Sequence, residues 1–456
     1  MKQICTITDR YEDADPNDLV SFSVMCLPWS GKRFKGLRTV STRAELEGFL
    51  PERHVVAGVA DQLTHLGFEV FDPQARFKTP IAIPQPIVSA RGRVALFERK
   101  FGVQLEKLIR TRMRAGAKST TSVAIVLGRG SRRPSLKRLT GAARIVLPRP
   151  PVSEATVVPP DLGGFSLHLP GDVALVTRAS AIHRLRTPTG DRATGAGVTV
   201  AVVDSGFSKH PYFRHHGYQI TRVAAPDTNH PERDPRGHGT KVLANLLACA
   251  PDVHAYGIKA TVDRVLAFSV AMSIPGVRVI SISFGYRPTE APADLEFLIL
   301  FAVLYLGITV VVAAGDGPLP NFPALMDQVI AVGGVHVSPG GKKGVSPESS
   351  SFTFGGRRVP DFCGLSSGLL LPNAGPSPDW DISHGTSFAA PQVAGVAALL
   401  LQKNQGLTPH QIRSVIKKTA TDITFGTSAS GHKARHGNDL ATGRGLVNAL
   451  RAWRRV

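Results

Sequence analysis

The sequence predicts an α/β protein built on a parallel sheet with helices on both faces, preceded by a smaller α+β domain. Three observations predict it. From about residue 172 onward, apolar strand-like runs alternate with helical segments, the pattern of consecutive βαβ units. Between residues 20 and 147 the order is strand, helix, strand, strand, helix, strand. Residues 148–170 are rich in Pro and Gly, the composition of a segment between domains. The expected division is therefore 1–147, a linker at 148–171 and a second domain at 172–456. A chain of 456 residues, 43% hydrophobic and 19% charged, has enough apolar surface for a large core and for more than one domain.

In the first domain, residues 19–27 read as extended, 42–66 carry helical periodicity ending at Gly67, and 68–71 form a short strand. Residues 81–90 read as a strand interrupted by prolines, which suits a sheet edge. A helix at 91–101 stops at Gly102, and 143–147 is a last strand. This order is that of a ferredoxin-like sandwich. From Arg110 to Arg149 the chain carries many Arg and Lys but no Asp or Glu, which reads as a solvated, mobile loop. A nucleic-acid patch is the other reading, and no interleaved aromatics support base stacking.

In the second domain, strands are expected at 198–203, 253–258, 277–283, 308–313 and 329–335. Helices are expected at 239–249, 262–272, 295–306, after Ser387, and at 409–419. The apolar run 297–314 is long enough to be weighed as a membrane span. Gly307 divides it into a Leu/Phe helical half and a β-branched strand half, so it reads as part of an α/β unit, with no transmembrane segment.

The formal charge of +20 points to acidic partners, nucleic acid or anionic membrane surfaces among them. Four scattered cysteines suit neither a disulfide framework nor a zinc site, and Cys249 reads as a buried thiol. The N-terminus M-K-Q-I-C-T-I-T-D-R lacks the apolar core of a secretory signal, so the expected compartment is the cytoplasm.

Three short stretches carry the chemistry. Asp204 ends the strand V-T-V-A-V-V, at the carboxyl end where open α/β sheets build their sites, although a lone turn aspartate is commoner. His238 lies between two glycines just before a helix, where its ring is accessible. Ser387 enters the apolar helix that follows D-I-S-H-G-T-S, a position of helix caps and also of nucleophiles favoured by free N–H groups.

Together V-V-D-S-G at Asp204, G-H-G-T at His238 and G-T-S-F-A-A-P at Ser387 resemble the three catalytic blocks of the subtilisin-like serine peptidases, in that family's chain order. His210-Pro211, Asp234, Ala250-Pro251, the S-F-G run and Pro360-Asp361 extend the resemblance over about residues 172–447. It implies a serine endopeptidase acting on protein or peptide substrates. Asp204, His238 and Ser387 would be the triad, and Ser283, Phe284, Gly285, Ala314 and Gly315 would bind the substrate as an extended strand. Catalysis would need no cofactor or metal. Calcium is a common structural ion in the family, but no loop here has a carboxylate spacing that commits to it.

One position departs from the pattern. Where the family usually has an Asn that donates to the oxyanion, this chain has Asp316, beside the backbone N–H of Ser387 as the other donor. An ionised carboxylate repels the developing charge, whereas a protonated one donates to it. The first domain resembles the prodomains of this family and of the sedolisins, and R-G-R-V-A-L-F-E-R-K-F-G-V looks like a sedolisin prodomain helix. The resemblance makes it an intramolecular inhibitor released by cleavage within 110–170. The alternatives left open are a peptide-binding pseudoprotease, a peptide ligase or macrocyclase, and nucleic-acid binding through the basic segment.

Overall fold

The computed structural model describes residues 6–32, 34–73, 86–114, 117–149, 151, 165–260, 263–375 and 379–456. The N-terminal unit runs β1 (Thr6–Asp13), β2 (Leu19–Cys26), α1 (Arg43–Glu47), α2 (Arg53–His65), β3 (Glu69–Phe71), β4 (Ile87–Arg93), α3 (Val94–Phe101), β5 (Leu105–Arg114), β6 (Ala117–Leu127) and β7 (Ala142–Val146). Four strands pair antiparallel in the order β3-β4-β2-β7, the expected ferredoxin-like arrangement. Period-2 alternation along β2 turns Val20, Phe22 and Val24 onto Val59 and Leu63 of α2 and Phe97 and Phe101 of α3. The Phe22 and Phe97 rings meet edge to face at 4.9 Å.

Four expectations for this unit need correction. The helical stretch at 42–66 is two helices, since Pro51 offers no N–H for a continuous ladder; α1 has its own Thr42–Glu45 capping box. Residues 81–85 lie outside the described residues, and β4 begins after Pro86 and is flanked by β3 and β2 rather than at an edge. The helix expected at 91–101 starts at Val94 because β4 continues through Arg93. The basic stretch is not a loop. Its first half is the hairpin β5–β6, which joins β1 in a three-stranded sheet, and its end is β7.

The second unit begins with β8 (Leu167–His168), α4 (Gly171–Val176), α5 (Ala179–Ile182), β9 (Thr199–Asp204), α6 (Pro211–His215), β10 (Ile220–Ala224) and α7 (His238–Cys249). It continues through β11 (His254–Lys259), α8 (Arg264–Met272), β12 (Val277–Ile282), α9 (Ala293–Leu300), β13 (Thr309–Ala313), β14 (Ile330–Val337) and β15 (Lys343–Val345). The rest is β16 (Phe352–Phe354), β17 (Arg357–Val359), β18 (Phe362–Leu365), β19 (Leu369–Pro372), β20 (Trp380–Ser383), α10 (Thr386–Lys403), α11 (Pro409–Thr419) and α12 (Ala449–Arg455). β8 falls inside the span read as linker. It pairs with β19, and Leu167 joins the core; residues 152–164 of that span lie outside the described residues.

The main sheet has the order β10-β11-β9-β12-β13-β14-β15; β10 to β14 are parallel neighbours, β15 is antiparallel, and β18 pairs in parallel with β14. Both faces are covered. Val200 and Val202 of β9 enter the core shared with α7 and α10, whereas Ala201 and Val203 enter the one shared with α8 and α9. The apolar run divides as predicted, with α9 before Gly307 (φ 69°) and β13 after it. No helix among the described residues is long and apolar enough to cross a membrane. Cys249 is buried, and burial pushes its thiol up to about 12.

The N-terminal unit sits against α8 and α9. Met25, Leu37, Val40, Phe49 and Ile87 complete the apolar core on that face. A buried Arg110 bridges the two units, donating to Asp9 at 2.7 Å and to Glu290 at 3.1 Å. The hydrogen bond from Arg110 holds the Asp9 carboxyl below its ordinary range. The residue that heads the basic stretch is thus an internal latch rather than a solvated charge.

Candidate active site

Asp204, His238 and Ser387 come from the end of β9, the start of α7 and the first turn of α10. These elements share one core, which aims the three segments at a common corner. Asp204 is buried, and its Oδ1 lies 2.8 Å from His238 Nδ1. A carboxylate there only accepts, so Nδ1 carries the proton and Nε2 is left as the basic nitrogen. Ser205 also donates to Asp204 Oδ1, from its backbone at 2.7 Å and its hydroxyl at 3.1 Å.

Glycine is required beside His238. A Cβ on Gly239 would lie 2.2 Å from the Gly206 carbonyl and 2.9 Å from the Asp204 Cβ. The bare backbone lets the helix start against the strand end. Asp234 fixes that start, accepting from the Thr240 backbone at 2.8 Å and hydroxyl at 2.7 Å. Burial of His238 works against its charge, but the Asp204 carboxylate outweighs this and holds the imidazole above its ordinary 6.5. Burial alone would raise the Asp204 carboxyl; its pairing with His238 brings it below the ordinary value.

Ser387 is buried, and its hydroxyl donates to the Ser283 carbonyl at 3.3 Å, while the Ser283 hydroxyl donates to the Ser387 carbonyl at 2.8 Å. The next residue, Phe388, packs on the His238 ring at 5.7 Å between centroids. The end of β12 therefore holds Ser387, and its neighbour Phe388 meets the His238 ring.

Asp316 follows β13, and its Oδ1 accepts from the Thr386 backbone N–H at 2.8 Å, one residue before Ser387. Ala314 and Gly315 precede it, and Gly315 N–H donates to the Thr386 hydroxyl at 3.2 Å. The first turn of α10 and the end of β13 thus converge on one corner. Ser283, Phe284 and Gly285 run along the neighbouring strand end.

Two residues at this corner were not singled out from sequence. The Asn321 side chain lies between Gly285 and Gly315: a Cβ on Gly285 would fall 1.8 Å from Asn321 Oδ1, and one on Gly315 would fall 3.0 Å from Asn321 Cβ. Glu348 is buried behind Asp316. The turn carrying it bridges to the Asp316 segment through Gly317 N–H to Glu348 O at 2.9 Å and Ser350 N–H to Gly315 O at 2.9 Å. Its Oε1 accepts from the Ser366 hydroxyl at 3.0 Å and from that of Ser367. Burial, together with the charge of Asp316, pushes the Glu348 carboxyl up to about 7. Neither residue sits in a distinctive motif: Glu348 is one acid in V-S-P-E-S-S-S, and Asn321 lies in a Pro-rich loop.

Among the described residues no group of three or more His, Cys, Asp or Glu could hold a metal ion.

The chain matches the model of the subtilase family, peptidase S8, over residues 195–445. It is 30% identical over 303 residues to alkaline elastase YaB of Bacillus sp. strain YaB, covering 60% of this chain and 69% of that protein. It is also 30% identical over 293 residues to subtilisin BL of Lederbergia lenta, covering 60% of this chain and 97% of the relative. Among solved structures, a Pseudomonas sedolisin superimposes with a TM-score of 0.53 at 19% identity, over 64% of this chain and 98% of that one, a likeness of fold.

Proposed function

The chain belongs to the subtilase family and is a serine endopeptidase, and we propose that it cuts peptide bonds through Asp204, His238 and Ser387 by way of an acyl-enzyme. The observation that carries the assignment is the 2.8 Å contact between His238 Nδ1 and Asp204 Oδ1. It leaves Nε2 to take the Ser387 proton during attack and return it to the leaving amine, while Asp204 stabilises the imidazolium. Binding of substrate turns the Ser387 hydroxyl from the Ser283 carbonyl toward His238. Nucleophile, base and orienting acid are all side chains, so the chemistry needs no cofactor.

The test is the pH dependence of kcat/KM on a peptide. Protonated His238 cannot act as base, so activity falls with falling pH through the His238 value, and that limb lies above pH 6.5. Asp204→Asn removes the charge that raises it and allows the wrong tautomer, so the limb moves to lower pH and kcat drops about 10⁴-fold. A limb that Asp204→Asn leaves in place contradicts the assignment.

We further propose that Asp316 is the second oxyanion donor, in its protonated form. With Oδ1 held by Thr386, the proton resides on Oδ2. Like charge disfavours ionising both carboxyls, so the pair holds one proton below about 7; burial and the charge of Asp316 put it on Glu348 in the resting site, and it is proposed to sit on Asp316 when the oxyanion forms. The Thr386 contact favours a second reading. An N–H of the first helical turn stabilises a carboxylate, and an ionised Asp316 would make the protein a peptide-binding pseudoprotease.

The N-terminal unit is proposed as an intramolecular inhibitor, supported by its apolar contribution to the α8–α9 face and by the Arg110 latch. A fragment 1–150 added to a fragment 165–456 is expected to inhibit peptide turnover. Arg110→Ala strands two partly covered carboxylates, costing roughly 2 kcal/mol after allowance for solvent screening, so inhibition weakens about 30-fold. Fragments that neither bind nor inhibit one another contradict the proposal.

A further inference from the structure

Arg264, the first residue of α8, is 5% exposed, and its Nε has no hydrogen-bond partner. The other deeply buried arginines are paired: Arg110 meets Asp9 and Glu290, and Arg357 meets Asp361 at 2.8 Å through two nitrogens. Among the described residues no carboxylate makes such a contact with Arg264. Of the acids around it, Asp227 acts on it only through space, and Asp263 and Asp204 are committed elsewhere. Asp263 accepts from Leu266 N–H at 2.9 Å to cap α8, and Asp204 accepts from His238 and Ser205. Burial works against the guanidinium's charge; Asp204, Tyr286 and Asp227 offset this only through space, and Arg236 adds to the opposition. A buried guanidinium without a fork-to-fork partner is an incomplete anion site.

Its surroundings say which anion would complete it. The guanidinium lies over the Phe284 ring, 4.6 Å from the centroid. Phe284 stands between Ser283, which touches Ser387, and Gly285, which touches Asn321 beside the Asp316 corner. A cavity of about 350 Å³ reaches Asp263, the residue before Arg264; Asp18, Ser21, Arg91 and Lys107 of the N-terminal unit line it opposite Asp227 and Asp263.

We propose that Arg264 is a specificity-determining residue that receives an acidic side chain of the substrate, two to four residues upstream of the scissile bond. The inference rests on the reading that Ser283, Phe284 and Gly285 carry an extended substrate to Ser387. A charge-assisted pair in a site closed from water discriminates Glu from Gln by about tenfold or more.

The test uses the full chain, nicked by a protease between residues 150 and 165 so that the N-terminal unit can leave, and irreversible peptidyl diphenyl phosphonates of one extended sequence, with Glu, Gln or Lys at each of those positions. Mass spectrometry follows label accumulating over hours, so slow turnover suffices, and Ser387→Ala is the blank. At one position the wild type is expected to label about tenfold faster with Glu than with Gln, and slowest with Lys. Arg264→Gln brings the Glu rate down to the Gln rate, and Arg264→Lys, which keeps the charge, retains the order if the Gln variant fails to fold. Equal Glu and Gln rates in the wild type overturn the inference alone, as does a Glu preference that survives Arg264→Gln. Uniform slowing of all three probes, with a displaced acid limb, also overturns it, because Arg264 would then act on Asp204 and His238. No label from any probe overturns the peptidase reading and the inference with it.

Discussion

Ser387→Ala is expected to lower peptide turnover about a millionfold, the loss known from removing the corresponding serine of a subtilisin. The geometry gives the reason for so large an effect. Ser387 is held at the first turn of α10 by reciprocal contacts with Ser283, and Phe388 keeps the His238 face beside it. Among the described residues no other hydroxyl is placed by those same contacts. Deleting Oγ removes one small buried group, so folding is retained and thermal stability changes little. A variant that keeps measurable turnover well above background would place the nucleophile elsewhere.

Asp316→Asn is expected to raise kcat, by about 10² to 10³ at most, the range associated with one oxyanion donor in a subtilisin. The sign depends on pH. Wild-type Asp316 donates only while it holds a proton, so its contribution is largest in acid and is lost as pH rises. Asn donates at every pH. The gain from Asn is therefore greatest at high pH and smallest in acid. Peptide turnover of both forms from pH 5 to pH 9 checks this. A variant no faster than wild type at any pH would remove Asp316 from the oxyanion site. A wild type inactive throughout, with activity only in the Asn form, would favour the ionised, peptide-binding reading.

Much of the second unit was legible because its signals are local. The uncharged strands of the parallel sheet, Gly307 between helix and strand, and the glycines around His238 each state their role within a few residues. The ferredoxin-like order of the first unit was legible for the same reason. The misreadings have a common cause in long-range pairing. Arg110 looked like a member of a solvated basic run, and only its meeting with Asp9 and Glu290, far away in sequence, makes it a buried latch. The hairpin β5–β6 was hidden because basic residues alternate along β5, which lies between β1 and β6. Glu348, Asn321 and Arg264 were missed on the same grounds: a lone polar residue acquires meaning from what the fold lays against it. Asp316 was conspicuous in sequence, yet its two opposing influences, the Thr386 amide and the Glu348 carboxyl, come from separate elements.

The most direct test of the triad assignment is intact-mass spectrometry of the full chain and of Ser387→Ala, each with and without a fluorophosphonate that labels activated serines. The assignment predicts that the wild type gains one label and the variant gains none. The proposed release of the N-terminal unit adds a cut between residues 110 and 170 in the wild type alone; labelling without that cut leaves the triad standing. Equal labelling of both proteins, or none in either across acid and neutral pH once the N-terminal unit has been removed, would contradict it.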